Sequence, residues 1–235
     1  MLAHPANRDS LFPSGPGPVR NHSYRTNSGI TGRPLHVVPG NRAAGPGPGQ
    51  LGQADAEVRV SPLLFAARAL LAAVARHPLI NSSWDGDAEE IVVKHYVNLG
   101  IAVAAERGLI VPNIKNADAL TLPGLARSLQ ALTETGRAGK ATPADLAGGT
   151  ITITNVGVFG VDAGTPILSP GEAAILAFGQ VKDTPWVVDG QLAVRQACTL
   201  SLSFDHRIVD GALGSAVLRD VGSMLEDPIR ILAWT

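Results

Sequence analysis

The chain has 235 residues, 45% of them hydrophobic and 17% charged, with a formal net charge of -1. That length suits one large domain with a tail, or two small ones, and supplies enough apolar material for a sizeable core. The near-neutral charge points to neither nucleic acid nor a membrane surface, the lone Cys198 excludes an internal disulfide, and no apolar run approaches the roughly 18–20 residues of a membrane span. With no signal-type apolar core at the N-terminus, the expected setting is a reducing cytoplasm.

Residues 1–54 differ from the rest. They hold eight prolines, nine glycines, five arginines, one acid (Asp9) and no lysine. A run such as Gly45-Pro46-Gly47-Pro48-Gly49 builds neither a helix nor a sheet interior, and no apolar periodicity emerges. The segment reads as disordered or irregular. Three origins stay open for it: a flexible linker, a misassigned start such as a shifted reading frame would give, or a functional arm.

From Asp55 the pattern becomes globular. Ser61 followed by Pro62 marks a helix start, apolar residues run from Leu63 to Val74, and Pro78 ends the helix. Thr121 and Pro123 open a second helix with Leu122, Leu125, Leu129 and Leu132 at helical spacing, ending near Gly136. Asp210 caps a third, through Leu213, Val217, Val221 and Leu225. Strand-like runs cover Ile91–Val93, Val97–Ala104, Leu109–Ile114, Thr150–Val156, Ala173–Val181, Trp186–Val188 and Ala197–Phe204. Asp189-Gly190 is a hairpin turn. Strands and helices mix without strict alternation, which predicts an α/β (α+β) domain: a mixed sheet packed by helices on one side.

The stretch from Ser203 to Gly211 carries the most chemical information. A strand ends at Phe204 and a helix starts at Asp210, so His206 sits on a short connector at a strand end. Rigid elements there present an imidazole to a cleft, and imidazole suits proton transfer near neutral pH. Asp210 orients the site or caps the helix. The plainer reading of a His near an Asp is a surface or capping pair. The remaining histidines (His4, His22, His36, His77 and His95) are not spaced as metal ligands, so no metal is expected. No phosphate-binding loop of the GxxxxGK[ST] type occurs either.

Asp205-His206-Arg207-Ile208-Val209-Asp210-Gly211 resembles the active-site signature of the dihydrolipoamide acyltransferases, the catalytic cores of the 2-oxo acid dehydrogenase complexes. Three further segments resemble the same family in its own order. They are Asn98–Ala104 leading into Arg107–Pro112, Gly149–Gly157, and Thr165–Leu168 through Glu172–Leu176. The likeness covers about residues 56–235, so the domains are expected to be an irregular segment 1–54 and a catalytic domain 55–235. It implies a chloramphenicol-acetyltransferase-like fold and acyl transfer between S-acyl-dihydrolipoamide and coenzyme A, with CoA as substrate. By position it implies His206 as general base, Thr154 as the hydroxyl that stabilises the oxyanion, and Asp210 as a residue that holds the architecture. Asp205 and Arg207 serve local ion pairing. It also implies a homotrimer in which His206 of one subunit faces Thr154 of the next. Larger hollow shells and the dehydrogenase components are further implied partners, and the apolar C-terminal run Ile229–Trp234 is either a peg for a neighbouring subunit or part of the chain's own core.

The chain also departs from that pattern. Nothing in residues 1–54 resembles a lipoyl domain, so the lipoyl group is expected to come from another domain or chain. The opening helix and strand of the family's core, with the basic residue that pairs with the position of Asp210, are not recognisable, and the domain reads as N-terminally truncated. A catalytically impaired fragment or scaffold is therefore the competing reading, and antibiotic acetylation a remote third. The segment Thr150–Leu168 looks most like actinobacterial branched-chain members, which favours a branched-chain acyl group, then acetyl, then succinyl.

Overall fold

The computed structural model describes residues 27–31, 35–36, 60–106 and 108–229. The elements from residue 60 onward start where the sequence supplies caps. Helix α1 (Pro62–Arg76) begins with the Ser61 hydroxyl accepting from the Leu64 amide at 3.3 Å. Helix α2 (Leu122–Arg137) begins at Thr121. Helix α4 (Gly211–Glu226) begins with the Asp210 carboxylate accepting from the Leu213 amide at 2.7 Å. Each cap satisfies an amide that the first helical turn leaves without a partner. A one-turn helix α3 (Pro143–Leu146) carries a reciprocal capping box between Thr142 and Asp145; the sequence reading missed it.

Strands β1 (Asn27–Thr31), β5 (Leu99–Ala105), β6 (Gly108–Ile110), β7 (Asn113–Ile114), β8 (Ile151–Asn155), β9 (Ala174–Phe178) and β12 (Leu200–Asp205) form one mixed sheet. Its order is β1-β12-β9-β8-β5-β6, with β7 also on β5. The β5–β8 and β8–β9 pairs are parallel and the others antiparallel. A hairpin of β10 (Lys182–Val188) and β11 (Gln191–Cys198) is extended by β2 (Leu35–His36), and β3 (Ser82–Asp85) pairs with β4 (Glu90–Val93). The expected class, a mixed sheet packed by helices, is the one observed.

Side chains alternate across this sheet, so its two faces differ in chemistry. Leu200, Leu202, Phe204, Leu176, Phe178, Ile151, Ile153, Leu99, Ile101 and Val103 join the buried residues of α1, α2 and α4 in one core. Gly214 brings α4 against that face: a methyl group there would sit 2.6 Å from the Phe204 ring. The opposite face carries Gly100, Ala102, Thr152, Thr154, Ile175, Ala177, Ser201 and Ser203, aligned by register. Apart from Ile175, these are small or hydroxyl side chains.

Three expectations are corrected. Residues 1–54 are not irregular throughout, because Asn27–Thr31 pairs with β12 and Leu35–His36 with β11. An edge strand is held by backbone hydrogen bonds and needs little apolar periodicity. The rest of that segment lies outside the described residues, as does the C-terminal run beyond Ile229. The run Leu109–Ile114 is two strands, broken at Val111-Pro112, where proline cannot donate to a ladder. The run Ala197–Phe204 is the end of β11 and the whole of β12, separated at Thr199.

Candidate active site

His206 lies in the turn that follows β12, exposed, with its ring centroid 5.7 Å from that of Phe204 and tilted by 53°. No hydrogen bond to its imidazole occurs among the described residues. The turn beneath it is tightly tied. The Asp205 amide donates to the Ala173 carbonyl at 2.8 Å, and the Asp205 carbonyl accepts from Ile208 and Val209 at 3.0 and 2.9 Å. The buried Asp205 carboxylate accepts from the Arg207 amide at 3.0 Å and from the Arg207 guanidinium at 3.0, 3.2 and 2.5 Å. The bonds to Asp205 hold the guanidinium even more firmly protonated than usual. The local ion pairing expected of Asp205 and Arg207 is thus between these two residues.

Asp210 is exposed and its carboxylate is engaged at the α4 N-terminus. The sequence allows either site orientation or capping for it, and the cap is the role its contacts define. A buried carboxylate in want of a cation is not the situation here.

Thr154 is half-buried near the end of β8, opposite Ala102 on one side and Ala177 on the other. Those two methyl groups leave its hydroxyl uncovered, and it makes no hydrogen bond among the described residues. Three residues beyond it a short 3-10 turn, Gly157–Phe159, presents Val158 and Phe159 to solvent, with Val161 and Ile167 exposed on the same loop. The charged side chain of that loop, Asp162, is paired with Lys182 at 2.5 Å.

The structure does not bring His206 and Thr154 together within one chain. Thr154 shares a row of the sheet with Ala177 and Ser201, and His206 lies five residues further along the chain, just past the end of β12. At about 3.3 Å per residue and about 4.8 Å per strand, the two are on the order of 20 Å apart. Asp210 belongs to the His206 end.

Sequence reasoning passed over Glu172. It precedes β9 with a relative exposure of 8%, and Thr152 donates to its carboxylate at 2.7 Å. Burial pushes that carboxyl up to about 7 despite the Thr152 bond, which works in the opposite direction. A methyl group at Gly149 would come within 2.7 Å of the carboxylate, so glycine is needed there for packing. The visible signal was an acid flanked by apolar residues at a strand start. Burial also pushes the Cys198 thiol up to about 11, which leaves it a core residue rather than a nucleophile. A cleft of about 430 Å³ between α2 and β7, lined by Pro112, Ile114, Lys115 and Leu132 among others, contains none of the three expected site residues. No helix among the described residues is long and apolar enough to cross a membrane.

Sheet order, helix placement and the histidine turn define the class: the acyltransferase core seen in solved dihydrolipoamide acetyltransferases. One such structure, from Azotobacter vinelandii, is 35% identical with a TM-score of 0.67 over 74% of this chain and 71% of that one. It was studied for the role of a serine, a histidine and an asparagine in its catalytic mechanism. The cubic core of a pyruvate dehydrogenase multienzyme complex is 36% identical with a TM-score of 0.67, over 75% of this chain and 72% of that one. A curated relative, the succinyltransferase component of the 2-oxoglutarate dehydrogenase complex of Haemophilus influenzae, is 40% identical over 74% of this chain. The family model described as 2-oxoacid dehydrogenases acyltransferase (catalytic domain) matches residues 50–233. The chain belongs to that family. It spans less than half the length of the curated relatives it matches, 42% for the Haemophilus protein.

Proposed function

We propose that this chain transfers an acyl group between S-acyl-dihydrolipoamide and coenzyme A in a 2-oxo acid dehydrogenase complex, with Thr154, His206 and Asp210 at the site. One observation carries the reading. The serine, histidine and asparagine studied in the Azotobacter structure are spaced so that the serine precedes the histidine by 52 residues and the asparagine follows it by four. Thr154, His206 and Asp210 have those same spacings. Threonine keeps the hydroxyl. Aspartate in place of asparagine keeps an acceptor for the helix N-terminus.

The chemistry follows from the side chains. A CoA thiol has a pKa near that of cysteine, roughly 8.5, so little of it is thiolate at neutral pH. The His206 imidazole takes the thiol proton as the sulfur attacks the thioester carbonyl of S-acyl-dihydrolipoamide. The tetrahedral oxyanion accepts a hydrogen bond from the Thr154 hydroxyl. Collapse breaks the old carbon–sulfur bond, and the departing dihydrolipoyl thiolate recovers the proton from the imidazolium. The lipoyl group comes from another domain or chain, and CoA is a substrate.

Because His206 and Thr154 sit on the order of 20 Å apart in one chain, the site forms between subunits of a homotrimer. The outer face of the β10–β11 hairpin supports association, since Pro185, Val187, Leu192 and Val194 lie together on it and are exposed. Apolar patches of this kind mark contact surfaces. The trimers build toward a larger shell with the dehydrogenase components, in the cytoplasm. The catalytic domain is assigned to residues 55–235, with β1 and β2 of the preceding segment added at sheet edges.

For the acyl group the proposal is branched-chain, then acetyl, then succinyl. The exposed apolar side chains next to Thr154 support it, as does the absence of an unpaired cation on the described 157–168 loop, which a succinyl carboxylate would want. Relatives named for succinyl and acetyl transfer are the counterweight. The test is turnover of dihydrolipoamide with isobutyryl-CoA, acetyl-CoA and succinyl-CoA. Isobutyryl transfer should be fastest. Succinyl transfer at an equal or higher kcat/KM would discard the acyl assignment, and no turnover with any of the three would discard the function.

A further inference from the structure

We infer that Arg207 and Trp84 are positioning residues for the imidazole of His206, a role that rests on reading His206 as the general base. The imidazole has no hydrogen bond of its own to fix it among the described residues, so its pose is inherited from the turn. That turn is closed by Arg207, whose backbone amide and guanidinium both bind the buried Asp205 carboxylate. Contacts of residues 205 and 207 brace the backbone on either side of position 206, from which the His206 side chain projects.

The clamp is anchored from outside the turn. The Arg207 guanidinium carbon lies 5.4 Å from the centroid of the Trp84 ring, within the range of a cation–π contact. Trp84 is a firm platform. It lies on the β3–β4 hairpin, packs against the main core, and is held by antiparallel pairing from Ser82↔Val93 to Asp85↔Glu90. The hairpin is itself tied down where the Asn81 amide donates to the Lys94 and Tyr96 carbonyls at 3.0 and 2.9 Å and the Ser82 hydroxyl donates to the Leu79 carbonyl at 2.6 Å. A planar guanidinium is the one cationic group able to grip a carboxylate with a fork and offer its flat face to an indole. A lysine would neutralise Asp205 and do neither.

The β3–β4 hairpin therefore acts on the reaction through Arg207 without touching substrate. Proton transfer falls off steeply when the base is displaced, and an error near 1 Å costs up to about 10²-fold. The experiment is a double-mutant cycle on the assembled full chain, with kcat and KM measured for acyl transfer. Arg207→Lys should lower kcat about tenfold and Trp84→Leu at least about threefold, with KM for CoA and dihydrolipoamide within about twofold of wild type. Trp84→Phe, which keeps an aromatic face, should recover most of what Trp84→Leu loses. In a His206→Ala background both effects should vanish, because the group they position is gone. Should Arg207→Lys fail to fold, the Trp84 pair decides alone. Unchanged kcat in Arg207→Lys and Trp84→Leu, or the same fractional loss with and without His206, overturns the positioning role while leaving the base in place. Full turnover in His206→Ala removes the base, and the positioning role with it.

Discussion

At the His206 end of the central sheet almost every polar group of the turn is engaged. Asp205 is bound by the Arg207 guanidinium and by three backbone contacts, Arg207 lies over Trp84, and Asp210 caps α4. The Thr154 end is the reverse. Its hydroxyl stands between two alanines with no bond among the described residues, beside a loop that turns Val158, Phe159 and Ile167 to solvent. Two hydroxyls on the same sheet face, those of Ser201 and Ser203, are buried with no partner among the described residues. The contrast matches the roles proposed for the two ends. A proton acceptor must be held still by a braced backbone. A donor to a transient oxyanion must be left free in the resting protein, because a hydroxyl already engaged has nothing to give.

Replacing one residue at each end breaks that contrast most sharply. His206→Ala should lower acyl transfer to CoA by at least about 10²-fold, the scale of a lost general base, while the chain stays folded and assembled. At the other end Thr154→Val should lose on the order of 10²-fold, because valine keeps the shape and removes the donor, and Thr154→Ser should keep most of the activity. Steady-state rates with purified dihydrolipoamide and acyl-CoA check both. Equal turnover in the Val and Ser variants would take Thr154 out of the reaction.

Glu172 gives the contrast a pH dependence. Its carboxyl is raised from 4.5 to about 7 by burial. Below about 4.5 folded and unfolded chains both hold the proton. As pH rises toward 7 the unfolded chain releases it first, so stability declines, and above about 7 the loss is complete. The loss amounts to at most about 3 kcal/mol. Glu172→Gln keeps an acceptor for Thr152 and carries no charge, so urea unfolding should show it more stable than wild type at pH 8 and nearly equal at pH 4. The smallest effect is expected from Ser203→Ala. Removing a buried hydroxyl with no partner among the described residues should change stability by less than about 1 kcal/mol in either direction, whereas Phe204→Ala on the opposite face should cost about 3–5 kcal/mol in the same unfolding measurement.

Much of this was legible in the residues. Ser61, Thr121 and Asp210 announced three helices because each cap is a local interaction between a side chain and an amide three positions on. The turn Asp189-Gly190 was legible for the same reason, with both residues at positive φ. Long-range pairing was not. Nothing local in Asn27–Thr31 says that it lies along β12, and a two-residue strand such as Leu35–His36 has no period to detect. The site divides in the same way. His206, Thr154 and Asp210 stood out through resemblance and position. Trp84 lies more than a hundred residues from Arg207 in sequence, and only the folded hairpin brings the two together. The separation of His206 from Thr154 is a matter of strand register, which no motif encodes.

The most direct measurement of the central claim, that His206 of one subunit works with Thr154 of another, is complementation between two inactive chains. His206→Ala and Thr154→Val are unfolded together in equal amounts, refolded so that they assemble at random, and assayed. Each parent alone should be nearly silent. In a mixed trimer about a quarter of the interfaces join an intact His206 to an intact Thr154, so turnover should return to roughly a quarter of wild type. Activity that stays at the level of the two parents, in assemblies shown to contain both chains, would contradict a site shared between subunits.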